Sequence, residues 1–150
     1  MVNKAIKIIV PVLTVILVIG YFIMPNESER KIIHIGDVEL NIEIADTLVL
    51  KTRGLSNRDN LDENSGMLFV YDDKQIRNFW MKDVRFPIDI LWINDGIVVG
   101  IQENIPHKLD NLDVVRFKSN MEVSMVLEVN KGWIAQNGIK TGDRVDIIDN

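Results

Sequence analysis

Seventeen consecutive residues near the start of the chain, IIVPVLTVILVIGYFIM from Ile8 to Met24, carry no charge, and they set what the remainder can become. A run that is apolar on every face is expected to be a membrane segment rather than a buried core helix. At about 1.5 Å per residue it would extend about 25 Å as a helix, close to the roughly 30 Å hydrocarbon thickness of a bilayer. Ala5 and Ile6 lengthen it, Lys7 can lift its ammonium to the headgroups, and Tyr21 and Phe22 fall where an interfacial aromatic belt would lie. Pro11 sits in the first turns, where a missing N–H matters least. The stretch ends GYFIMPNESER, without an A-x-A-like cleavage site, and there is no cysteine for a lipid anchor. A retained anchor in contact with the lipid bilayer is therefore expected over a cleaved signal peptide. Lys4 and Lys7 put the N-terminus in the cytoplasm and the domain outside, a bias that Arg30 and Lys31 on the far flank reduce. The expected organisation is an anchor over residues 1–24, a linker over 25–31 and one domain over 32–150, in a single-pass protein of the cell membrane.

Charge narrows the partners of that domain. All 22 acidic residues and 15 of the 17 basic ones lie after Met24, which leaves the domain a formal charge of −7. A duplex nucleic-acid binder needs a basic face, so that class is excluded. The absence of cysteine removes disulfides, thiolate metal sites and cysteine nucleophiles.

Past the linker the pattern is one of short strands and turns. Val38, Leu40, Ile42 and Ile44 alternate with Glu39, Asn41 and Glu43, the period of two of a half-buried strand, and Gly36-Asp37 joins it to Ile32–Ile35. Asp46 or Thr47 can cap a short helix over Leu48–Arg53 that Gly54 ends. Met67–Tyr71 reads as a strand, and Asn94-Asp95-Gly96 as a hairpin turn into Ile97–Ile101. Val114–Phe117 reads as a short strand or ordered loop. Glu122–Val129 sets Val123, Met125, Leu127 and Val129 on one face, and a second short helix closes at Gly138 before a last strand over Val145–Ile148. The stretch FWMKDVRFPIDILWI, Phe79–Ile93, concentrates two of the three tryptophans and reads as two core strands, Arg77–Met81 and Ile88–Ile93, joined across Asp83–Pro87. The expected fold is mainly β, a β-barrel or sandwich-like α+β domain with two short helices, behind one N-terminal transmembrane helix.

The order of certain residues carries more than their periodicity. Arg53-Gly54-Leu55 is followed by Gly66-Met67-Leu68-Phe69, by Phe79-Trp80-Met81-Lys82-Asp83 with Pro87-Ile88-Asp89, and then by Leu127-Glu128-Val129, Gly132-Trp133 and Gly142-Asp143. That succession, over about Val38–Ile148, resembles the domain of unknown function 192 family. The family usually has Asn-Thr after the Phe-Trp-Met-Lys block and Leu-Asp after the proline, where this chain has Asp83-Val84 and Ile88-Asp89. The resemblance implies a small, mainly β domain, commonly behind a signal or anchor segment, and it implies no activity.

Chemistry concentrates in Arg53, Trp80, Lys82, Asp83 and Asp89. Read as a ligand-binding set, two carboxylates beside cations and an aromatic plate hold a sugar or other polar ligand, or perform acid–base work. Read as structure, they are ion pairs that fix strand register, with Asp89 matched to Lys82 or Arg53, and that reading is the stronger one. Other signals are weaker. There is no Gly-rich phosphate loop and hence no cofactor motif. Ser124 has no nucleophile-elbow pattern. Asp110, Asn111 and Asp113 lack the glycine and bidentate glutamate of a calcium loop, so no metal site is expected. His34 and His107 have no convergent partners. The expected function is non-catalytic binding of a glycan-like or peptide ligand, or of a membrane-protein partner, at the cell envelope. The alternatives are a hydrolase using Asp83 and Asp89, and a purely structural or assembly role.

Overall fold

The computed structural model describes residues 28–110 and 113–148. Among the described residues nine strands and two short helices follow one another as β1 (Arg30–Ile35), β2 (Val38–Ala45), α1 (Leu48–Arg53), β3 (Ser65–Gln75), β4 (Asn78–Trp80), β5 (Ile88–Asn94), β6 (Ile97–Ile105), β7 (Arg116–Lys118), β8 (Val123–Asn130), α2 (Trp133–Asn137) and β9 (Val145–Ile148). The domain is mainly β with two short helices, as its alternating patterns and turn residues imply. Among the described residues no helix is long and apolar enough to cross a membrane. The apolar run from Ile8 to Met24 lies outside the described residues.

Seven strands form one sheet in the order β6-β5-β8-β3-β2-β1-β9, antiparallel throughout except for the parallel pair β2–β3. The sheet curls into a half-barrel whose two edges approach at one end. There Val98 N–H donates to Asp143 O at 2.9 Å, and Val145 N–H to Gly96 O at 2.8 Å. The tight turns sit where glycine and aspartate place them. Asp95 and Gly96 both take positive φ, 50° and 69°, as a two-residue type I′ hairpin between β5 and β6 requires.

The central stretch differs from its expectation. β4 does not pair with β5; it forms a separate two-stranded ribbon with β7, with Phe79 opposite Phe117. The reason is that both edges of β5 are taken, by β6 and by β8, and every residue from Ile88 to Ile93 is buried. The ribbon instead lies over one face of the sheet. Phe79 packs edge-on against Phe69 at 5.0 Å between centroids and against Trp92 at 5.8 Å, and stacks on Phe117 at 5.9 Å.

The curled sheet is thus covered on both sides. One core gathers Ile33, Leu40, Leu68, Leu127 and Val145 with Trp133 and Ile134 of α2. The other gathers Met67, Phe69, Ile90, Trp92 and Val126 with Leu50 of α1 and the β4–β7 ribbon. Asp89 belongs to the first. It is fully buried and accepts hydrogen bonds from three backbone N–H groups: Asn104 at 2.8 Å, Gly132 at 2.7 Å and Ile134 at 3.4 Å. Its partners are therefore not Lys82 or Arg53, the pairing the sequence suggested. β6 has one extra residue opposite Asp89, a bulge in which Asn104 takes φ 57°, and the carboxyl pins that bulge to the start of α2.

Asp89→Ala leaves three buried donors without acceptors, each of which costs about 1–3 kcal/mol. Denaturant unfolding of residues 28–150 should show a loss of at least about 3 kcal/mol, a large part of the roughly 5–15 kcal/mol that holds a domain together. Asp89→Asn, which keeps one acceptor oxygen, should lose less. Unfolding midpoints equal to wild type for Asp89→Ala would contradict the role of the pin.

Candidate functional site

The second core does not close completely. Between α1, the ends of β3 and β8, and β4 it leaves a cleft of about 140 Å³. Each wall has a local cause. Thr47 caps α1, its hydroxyl oxygen accepting the Leu50 N–H at 3.3 Å, and Lys51 and Arg53 lie in the last turn, where cations complement the helix dipole. Gly54 then turns the chain at φ 48°, ψ −133°, a region in which only glycine is at ease, directly over the Phe69 ring. The turn sends Leu55 into the core and brings Ser56 back to the cleft. The Ser56 hydroxyl donates to Lys82 O at 2.8 Å and Asn57 N–H donates to Asp83 O at 2.8 Å, which laces this loop to the one after β4.

The opposite wall is aromatic. β4 lines the cleft with Asn78, Phe79 and Trp80, and the Trp80 side chain is 48 % exposed. Tyr71 on β3 carries the Lys51 ammonium 4.5 Å from its ring centroid and the Arg77 guanidinium 3.8 Å from it. Cations over the ring face are favourable because of the ring quadrupole. Burial pushes the Tyr71 phenol up to about 12, against the opposing pull of Arg77.

Glu128 lines the same cleft from β8. It is 5 % exposed. In the sheet it stands opposite Met67 on one side and Ile90 on the other, so its immediate neighbours in the row are apolar. Burial raises its pKa from the ordinary 4.5 to about 8, with only the charge of Arg58 pulling it down. At neutral pH it is a carboxylic acid, able both to donate and to accept a hydrogen bond. Further along the same row, Glu43 has the opposite fate. Arg58 grips it with two hydrogen bonds, at 2.6 and 2.8 Å, and holds its pKa down to about 2. A wider hollow of about 540 Å³ lies beside that pair, but there the carboxylate is already matched by Arg58 and by the Ser28 hydroxyl.

Of the five residues singled out from the sequence, Arg53 and Trp80 line the cleft. Lys82 and Asp83 border it only through backbone carbonyls, with their side chains exposed. Asp89 is sealed on the other side of the sheet with α2. Glu128, Lys51, Tyr71 and Asn78 were not singled out. The signal for Glu128 is a lone acid inside the apolar run VSMVLEV.

The comparisons with known proteins bear on the fold more than on this cleft. The family model described as uncharacterized ACR matches residues 31–147. A solved structure of a proposed transcription regulator from Sinorhizobium meliloti 1021 shares 27 % identity and a TM-score of 0.73, covering 81 % of this chain and 95 % of its own. A protein of unknown function from Novosphingobium aromaticivorans DSM 12444 shares 26 % identity and a TM-score of 0.71, covering 82 % and 89 %. No match was found among curated proteins.

The raised Glu128 pKa sets a direction for stability against pH. Between about 4.5 and about 8 the folded state holds a proton that the unfolded chain has released, so stability falls as pH rises through that window. Glu43 acts in the other direction and lower down, with stability lost as pH falls from about 4.5 to about 2. Glu128→Gln should match wild type near pH 4.5 and melt at a higher temperature at pH 8. Thermal melts across that range check it, and a variant equally or less stable at pH 8 would contradict the neutral carboxyl.

Proposed function

The chain belongs to the domain of unknown function 192 family, and from the geometry of its cleft we propose that it is a membrane-anchored, outward-facing domain that binds a glycan-like ligand without catalysis. The observation that carries this reading is the Glu128 carboxyl, which lines the cleft and is kept neutral there by its burial. A protonated carboxyl can both donate to and accept from a ligand hydroxyl or amide that reaches it. Around it stand Asn78, Ser56 and Arg53 for further hydrogen bonds, and the half-exposed Trp80 offers a flat apolar plate against which a sugar ring can lie. The anchor reading is supported by the uncharged run from Ile8 to Met24 and by Lys4 and Lys7 before it.

Catalysis is the weaker reading. A pKa of about 8 would suit Glu128 to donate a proton. Yet it is the only carboxylate among the residues that line the cleft, while glycoside hydrolysis ordinarily needs two flanking the scissile bond. Asp83 points its side chain into solvent, and Asp89 is occupied by three backbone donors. Regulation of transcription, attached to one structural neighbour by its description, sits poorly with a domain of formal charge −7.

Two measurements test the proposal. Calorimetric titration with peptidoglycan-derived oligosaccharides should show saturable binding, weakened about tenfold or more, roughly 1.4 kcal/mol, by either Trp80→Ala or Glu128→Ala. Protease added outside intact cells should remove the domain. No saturable glycan, or binding untouched by both substitutions, would refute the glycan reading; a domain protected until lysis would refute the orientation.

A further inference from the structure

The surface of α1 does not look like the flank of an acidic, freely tumbling domain. Its first two residues, Leu48 and Val49, are 80 % and 61 % exposed, and only Leu50 of the helix is buried. The Thr52 hydroxyl donates to Leu48 O at 2.7 Å, so this carbonyl already has a partner if water is excluded from the turn. Two bases, Lys51 and Arg53, lie in the last turn of α1, and no acid lies within the helix. An aliphatic pair followed by cations is the composition of a segment that enters the boundary between headgroups and acyl chains.

The chain leading into the domain arrives at the same place. Only Pro25, Asn26 and Glu27 separate Met24 from Ser28, and four residue steps span at most about 14 Å. Ser28 is tied down, its hydroxyl donating to Glu43 at 2.6 Å, and Glu29 O accepts the Ile44 N–H at 2.7 Å. The entry point is thereby fixed beside the last residues of β2, from which Asp46 and Thr47 lead directly into α1. The Gly36-Asp37 turn lies at the other end of the β1–β2 ladder, roughly 17–20 Å further on.

We propose that the end of the sheet bearing α1 seats on the lipid bilayer, with Leu48 and Val49 inserted at the headgroup boundary. The inference rests on the reading of Ile8–Met24 as a retained anchor, because the short tether is what holds this end against the membrane. Since Lys51 to Ser56 also line the cleft, its mouth opens beside the contact surface, and the ligands it meets are those presented close to the bilayer.

The absence of cysteine makes a direct test available. The full chain carrying Val49→Cys, or Asp37→Cys as the opposite end, is labelled with a polarity-sensitive fluorophore and reconstituted into vesicles of phosphatidylglycerol and phosphatidylcholine. Both positions are exposed, so neither label disturbs the core. With a nitroxide lipid quencher at shallow depth, the probe at position 49 should shift to the blue and lose most of its emission, and the probe at 37 should keep its own. A bound protein in which neither probe is quenched, or both are equally, overturns the docking surface and leaves the anchor standing. Protein that fails to associate with vesicles at all overturns the anchor on which the inference rests.

Discussion

Strands β5 and β8 lie side by side in the sheet with neighbours on both edges and packing on both faces, and this confinement shapes everything that can be called a site. Each carries one acid into the interior. Asp89 stands opposite Val129 and faces the core with α2, while Glu128 stands opposite Ile90 and faces the core with α1. A buried carboxylate must find donors or take up a proton, since an unpaired charge in a low-dielectric interior costs more than either. Asp89 follows the first course and Glu128 the second.

The two outcomes have different consequences. Three backbone donors around Asp89 join β5, the β6 bulge and the start of α2 into one unit, and that carboxyl has little capacity left for a ligand. The cleft above Glu128 is walled by Trp80, Asn78 and the α1 turn. Arg58, whose charge pulls the Glu128 pKa down against burial, is engaged with Glu43 through two short hydrogen bonds. Three backbone donors on one face and a carboxyl kept neutral by burial on the other separate scaffold from site.

Much of the scaffold was legible in the sequence. The alternation in β2, the Asp95-Gly96 hairpin and the Thr47-to-Gly54 limits of α1 follow from residue chemistry that acts within a few positions. The Phe79–Ile93 stretch was misread as a hairpin because periodicity reveals strands but not their partners. Only the sheet order shows that β5 has both edges filled and that β4 must seek β7. Glu128 was missed for the same reason. Alternation in β8 puts Glu128 opposite in face to Leu127 and Val129, and only the tertiary structure shows that the ribbon and α1 cover that second face. Arg53 and Trp80 line the cleft, whereas Asp89 is buried away from it, and its backbone partners, 15 to 45 positions away, were beyond local reading.

The central claim is that a neutral carboxyl waits at the cleft. Carbon-13 NMR of glutamate side-chain carboxyls in the detergent-solubilised full chain, with the Glu128 signal assigned by its loss in Glu128→Gln, measures that state directly. The account expects a titration midpoint at about 8, leaving Glu128 protonated at neutrality. A midpoint near the ordinary 4.5 would mean a charged and solvated side chain, and would contradict it.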